Sequence, residues 1–142
     1  MSTRISADRY HIQIATAAAS RSTCNRAKVG AVIVNKDNIL HTGYNGSLPG
    51  HDHCNDENCR PMEHCLRTTH AEINAIHRAF KAGWSHYDFE EATLYCTHRP
   101  CYSCAKVIAA FGIKHVVYDK MYVDDRAEEY FKIAKMIVYQ VE

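Results

Sequence analysis

Two short motifs, His70-Ala71-Glu72 and Pro100-Cys101-Tyr102-Ser103-Cys104, constrain this chain more than anything else in it. Residues two apart on a regular helix project about 200° apart, so His70 and Glu72 share one site only if His70 stands at a helix start and projects past its end. The apolar positions Ala75, Ile76 and Ala79 predict that helix over residues 70–82, with Gly83 as its C-terminal stop. Cys101 and Cys104 are spaced to share one helical face, and Pro100 suits the start of that helix. Thiols at a helix N-terminus ionise readily, which favours metal binding. One histidine and two thiolates make three zinc ligands, a set that leaves the fourth position open for an activated water. Glu72 then remains free to carry protons. A Cys-x-x-Cys alone also fits a redox pair or half of a structural zinc site. The two motifs together, in this order and with a strand-like stretch before the cysteines, favour the catalytic reading.

The rest of the composition narrows the surroundings of that site. The chain has 142 residues, the size of one domain with a real core, and we expect a single domain over 1–142. Lys plus Arg total 17 against 16 acids, a balance without the basic footprint of a protein that holds a nucleic-acid polymer. It still allows a single nucleotide, held by one or two cations. Seven cysteines, an odd number clustered with histidines, fit metal binding better than a disulfide framework. Arg4, Asp8 and Arg9 interrupt any apolar leader, and no apolar run is long enough to span a membrane, so the expected compartment is the cytoplasm. There is no internal repeat and no low-complexity tract.

Taken in order, residues 6–24 read as a helix with Ser6 as N-cap and Tyr10, Ile14, Ala17 and Ala18 as its apolar stripe. Residues 28–34 and 39–44 form a hairpin around the 35–38 turn. The returning strand runs into Gly43-Tyr44-Asn45-Gly46-Ser47-Leu48-Pro49-Gly50, a tight loop in which Asn45 serves either a ligand or the turn itself. Residues 51–65 are polar and irregular and carry His51, His53, Cys54, Cys59, His64 and Cys65, the look of a loop folded around a second metal. A strand at 92–97 leads to the second motif helix over 101–111, with Cys96 a buried small apolar residue. A strand follows at 115–118. A last helix, capped by Asp124 or Asp125, runs to about residue 135, and a final strand covers 136–141. This alternation argues an α/β fold with a mixed five-stranded sheet covered by helices.

His-x-Glu followed by Pro-Cys-x-x-Cys is the signature of zinc-dependent nucleobase deaminases. The chain resembles the deoxycytidylate (dCMP) deaminases of the cytidine deaminase-like superfamily. The resemblance runs through 24–34, Gly43-Tyr44-Asn45-Gly46, 70–76 and 97–106, and continues to Phe111-Gly112-Ile113. It covers most of the chain from residue 6 to 122. The two zinc motifs are superfamily-wide, whereas the Gly-Tyr-Asn-Gly loop and Cys24-Asn25-Arg26 point to dCMP. The resemblance implies a three-layer α/β/α fold and hydrolysis of dCMP to dUMP and ammonia, which feeds thymidylate synthesis. It implies a catalytic zinc on His70, Cys101 and Cys104, with Glu72 as the proton shuttle. It also implies a homohexamer activated by dCTP with Mg2+ and inhibited by dTTP. Arg26 matches the position expected to meet the substrate phosphate, Asn45 the one expected to meet the sugar, and Tyr122 lies near where such enzymes place a tyrosine at the substrate.

Several relatives of this kind carry a structural zinc beside the catalytic one. Cys24, Cys54, Cys59 and His64 are the set expected here, with His53 and Cys65 as close substitutes. Two other readings stay open at this point. One is a deaminase of another cytosine nucleotide such as dCTP, which the same arginine would suit. The other is a non-catalytic zinc module, against which Glu72 counts, because a structural site needs a fourth ligand and has no use for a free carboxylate.

Overall fold

The computed structural model describes residues 3–24, 27–48, 50 and 68–142. Five helices are described: α1 (Ala7–Ala19), α2 (Ala71–Lys81), α3 (His86–Glu90), α4 (Tyr102–Ala110) and α5 (Asp125–Ile133). The strands are β1 (Gly30–Val34), β2 (Leu40–Tyr44), β3 (Gly46–Ser47), β4 (Thr68–Thr69), β5 (Thr93–His98), β6 (His115–Lys120) and β7 (Ile137–Gln140). The main sheet has five strands in the order β2-β1-β5-β6-β7. β1 is antiparallel to both β2 and β5, while β5, β6 and β7 are mutually parallel, so the sheet is mixed as expected.

Helices cover both faces of this sheet. On one side Ile12 and Ala15 of α1 pack on Val32, Val34, Tyr95 and Val117. On the other, Ala75, Ile76 and Ala79 of α2 and Cys104 and Ile108 of α4 meet Ile33, Leu94, Cys96 and Val116. α5 packs against α4 through Ala105, Ala127 and Phe131. Each fully buried Ile or Leu in these layers contributes about 1.5–3 kcal/mol relative to exposure.

The structure shifts the expected phase of α1. Ile12, Ala15, Ala18 and Ala19 are buried, whereas Tyr10 is 50% exposed and Ala17 also faces outward. The close approach of β1 sets this phase: a Cβ at Gly30 would stand 1.9 Å from the Ala15 carbonyl oxygen. Only glycine at position 30 fits against that helix backbone. The helix also ends at Ala19, because Ser20, Arg21 and Ser22 donate to the carbonyls three residues back. Three elements are additional to those expected. α3 opens on a capping box in which Ser85 and Asp88 bond each other's backbone. β3 and β4 form a two-rung antiparallel ladder, Gly46 with Thr69 and Ser47 with Thr68. Gly83, at φ 95°, closes α2 in the left-handed conformation that suits glycine.

The topology brings several element ends together at one end of the sheet. Gly30 at the start of β1 lies beside Tyr44 at the end of β2, and the Gly30 amide donates to Thr97 Oγ1 near the end of β5. α4 starts at that end, outside the carboxyl end of the parallel strand β5, where α/β sheets bind ligands, and the start of α2 lies beside it.

Candidate active site

His70 and Cys101 are the N-cap residues of α2 and α4, both with extended backbone and neither making a side-chain capping bond. Their side chains point off the helix starts and toward each other. His70 Nδ1 lies 3.1 Å from Cys104 Sγ and 3.6 Å from Cys101 Sγ. The three ligand atoms all lie within 4.8 Å of one another. Zn–S bonds of about 2.3 Å and Zn–N bonds of about 2.0–2.1 Å put tetrahedral ligand atoms about 3.6 Å apart, so the donor set and its spacing fit zinc. Cys101 stands one residue outside the helix expected to contain it. That position lets its sulfur face His70 while Cys104, one turn on, is fully buried.

The sulfurs are poised for metal. A hydrogen bond from the Cys104 thiol, with others from His70 and Ser103, outweighs burial and holds Cys101 at a pKa of about 3. Cys104 is pushed far up, first by that same bond with Cys101 and then by burial.

Glu72 lies in the first turn of α2 and is 4% exposed. Burial raises its carboxyl above the ordinary glutamate range, against the opposing influence of a hydrogen bond with Cys104 and of nearby His70. Such a carboxyl takes up and returns a proton nearer neutral pH than an exposed one. Cys96, behind it in β5, is fully buried and its thiol is driven well up by burial, as an inert small apolar side chain should be.

The other sequence-derived candidates fall in different places. Asn45 is buried at the end of β2, and both ends of its amide bond the chain. Oδ1 accepts from the Val29 amide at 2.9 Å and Nδ2 donates to the Ala27 carbonyl at 2.8 Å. It fastens the strand entrance to the loop. Asn74 does the same one helical turn into α2, donating to the Tyr44 carbonyl at 2.8 Å. Tyr122 lies 38% exposed between β6 and α5. Cys24 is buried and reduced, six residues before β1. Arg26, Cys54, Cys59 and His64, with His51, His53 and Cys65, lie outside the described residues.

Three side chains near this end of the fold make contacts that the sequence did not indicate. Thr97 Oγ1 accepts the Gly30 amide and lies 2.9 Å from His98 Nδ1. Arg99 pairs with Glu128 and stacks on Tyr118 and Phe131. Asp124, legible only as a possible helix cap, also accepts the Tyr102 amide.

Residues 5–120 match the family described as the cytidine and deoxycytidylate deaminase zinc-binding region. The chain belongs to that family. This deaminase is 43% identical over 141 residues to ComE operon protein 2 of Bacillus subtilis (strain 168), covering 98% of this chain and 73% of that protein. It is 40% identical over 126 residues to the deoxycytidylate deaminase of Mycobacterium phage D29, covering 80% of this chain and 94% of the phage protein. Among solved structures, the dCMP deaminase of cyanophage S-TIM5 in complex with dCMP and dUMP superposes with a TM-score of 0.80 at 28% identity, covering 97% of this chain and 100% of that one. The five-stranded mixed sheet is thus that of the cytidine deaminase-like proteins, and the activity is that of a zinc-dependent deaminase of this family. Among the described residues no helix is long and apolar enough to cross a membrane.

Proposed function

We propose that this chain acts as one deaminase domain that hydrolyses dCMP to dUMP and ammonia. The observation that carries the reading is the convergence of His70, Cys101 and Cys104 beside a buried Glu72 whose carboxyl burial raises above the ordinary glutamate range. The similarity to proteins named deoxycytidylate deaminase supports the choice of substrate.

A zinc ion on those three ligands supplies an open coordination position and lowers the pKa of water there toward 7. Glu72 does the proton work. It accepts a proton from the attacking water and passes it to the ring nitrogen beside the amino carbon. It then takes the remaining proton from the added hydroxyl and gives it to the amino group, so that the C–N bond breaks, the carbonyl forms and ammonia leaves. Its burial matters because a carboxylate left in bulk water would be too weak a base. Asn74 and Thr97 hold the strand ends and helix starts in register around it. Arg26 is the group we assign to the 5′-phosphate, with Asn45 and Tyr122 at the sugar side of the pocket. Asn45 does so as much through its grip on Ala27 and Val29 as through direct contact.

We further infer a second, structural zinc on Cys24, Cys54, Cys59 and His64, supported by the buried reduced thiol of Cys24. A hexamer in the cytoplasm, activated by dCTP with Mg2+ and inhibited by dTTP, completes the reading.

The test is chromatographic. Purified zinc-loaded protein is incubated with dCMP, dCTP or deoxycytidine, with and without dCTP and Mg2+ as effector. dUMP formation, faster with dCTP, supports substrate and regulation alike. Turnover of dCTP or deoxycytidine in preference to dCMP would sink the substrate assignment. Metal analysis giving one zinc per chain removes the structural zinc.

A further inference from the structure

We propose that Asp124 is a positioning residue for the Cys101–Cys104 pair, its buried carboxylate capping α4 because the helix's own N-cap residue does not. The N-cap of α4 is Cys101, which makes no side-chain capping bond and turns its sulfur toward His70 instead. The first amide of the helix, on Tyr102, next in the chain to Cys101, would otherwise be an orphan donor. It donates to Asp124 Oδ2 at 2.9 Å.

Asp124 comes from a different part of the chain and serves a second helix as well. It is the N-cap of α5, where its Oδ1 accepts the Arg126 amide at 3.1 Å and also Arg126 Nε at 3.1 Å. The Arg126 guanidinium in turn lies 3.9 Å from the centroid of the Tyr102 ring. Side chain and backbone of Tyr102 are therefore both gripped from α5, and the two helices pack below this point through Ala105, Ala127 and Phe131. Any rocking of the first turn of α4 would swing both sulfurs at once. The carboxylate also places negative charge at the helix N-terminus, where the backbone dipoles favour it. α2, which carries the third ligand, is fastened differently, through Asn74 to the Tyr44 carbonyl. Residues that orient metal ligands from outside typically change metal affinity by about 10–100-fold when removed.

The bland reading is that Asp124 only caps α5. Two variants separate the roles. Asp124→Gly keeps an acceptable N-cap for α5, since glycine there costs only about a few tenths of a kcal/mol, but removes the acceptor for Tyr102. Tyr102→Pro deletes the donor instead, at the first helical position, where proline is well tolerated, and leaves Asp124 on α5. The inference rests on Cys101 and Cys104 being zinc ligands.

The experiment challenges zinc-loaded protein with excess chelator and follows the zinc whose loss parallels loss of turnover. The thiolate-to-cobalt absorption of cobalt-loaded protein and thermal melts are recorded alongside. Asp124→Gly and Tyr102→Pro should each release zinc about tenfold faster or more and alter the cobalt band. Asp124→Asn, which keeps one acceptor oxygen for Tyr102 but loses the charge and the second acceptor, should release zinc more slowly than Asp124→Gly. Ser6→Ala, which removes the α1 cap on Arg9, should lower the melting temperature without changing zinc release. Wild-type release rates in both Asp124→Gly and Tyr102→Pro would overturn the inference, as would equal acceleration by Ser6→Ala. A wild-type protein that takes up no zinc overturns the ligand assignment and this inference with it. A wild-type protein that holds zinc no longer than Asp124→Gly does overturns this inference alone.

Discussion

Gly43→Ala tests whether the seat of α2 on the sheet sets the active site. Gly43 lies in β2 against the first turns of α2, and a Cβ there would stand 2.4 Å from the Ala71 carbonyl oxygen and 2.4 Å from the Ala75 amide nitrogen. Ordinary contact begins at 3.4 Å, and both neighbours are backbone, so the helix itself must retreat by about 1 Å. Overpacking against atoms that cannot rotate away falls at the upper end of its usual cost, about 3 kcal/mol. At about 2.1 cal/mol/K per residue, the unfolding entropy of a chain this size is about 0.3 kcal/mol/K, so Tm should fall by about 10 °C. The same retreat moves His70 and Glu72, and a displacement of about 1 Å at reacting groups costs turnover about 100-fold. The assay pairs a circular-dichroism melt with ammonia release, normalised to bound zinc. Gly30→Ala is the comparison: its Cβ meets the Ala15 carbonyl oxygen at 1.9 Å and displaces α1, on the far face, so Tm should fall with a smaller loss of turnover. A Gly43→Ala protein that melts early yet turns over at the wild-type rate per zinc would refute the argument.

Three further outcomes are expected. Glu72→Gln should keep the fold and the zinc while turnover falls about 10²–10⁴-fold; wild-type turnover removes Glu72 from the proton path. Asn45→Ala removes the partners of the half-buried Val29 amide and of the Ala27 carbonyl on an exposed residue, at a cost of about 1 kcal/mol, which a urea titration will detect as a lowered midpoint. The Asp8 carboxylate holds Tyr139 up to about 12 through a hydrogen bond, and burial followed by the same carboxylate pushes Tyr95 up as well. A raised folded-state pKa means that this stabilisation is complete below the ordinary tyrosine value of about 10 and disappears as pH climbs through 12. Tyr139→Phe should therefore flatten the loss of stability between those two pH values, and an unchanged profile would show that Asp8 does not bind the tyrosine proton.

The chemistry was more legible in the sequence than the architecture around it. His70 and Glu72 two apart, and Cys101 and Cys104 three apart, are local constraints that helical geometry reads within each motif, and the deaminase signature they resemble joins the two motifs into one site. Strand positions were equally plain where valine and isoleucine crowd together, as in Val32-Ile33-Val34. What escaped were features decided by a distant contact. The stripe of α1 follows Gly30, and no periodicity within the helix reports that. β3 and β4 are too short to carry any alternation. α3 did have a local signal, Ser85 three before Asp88, in a stretch with too little apolar pattern to draw notice. Asn45 shows the limit from the other side: a residue singled out for a ligand has both ends of its amide on backbone, a role only three-dimensional pairing exposes. Asp124 is the converse, a cap by sequence and a clasp between two helices in space.

The two rungs of β3 and β4 also carry a consequence for how such a chain varies. By pairing Ser47 with Thr68 they bring both ends of the intervening stretch to neighbouring points, two residues ahead of the helix start at His70. Doubling the length of a flexible connection between two such fixed points costs only about 0.6 kcal/mol in closure entropy. The ladder therefore holds the residues that lead into His70 in place against changes of length in the connection, so long as the residues assigned to the structural zinc are kept.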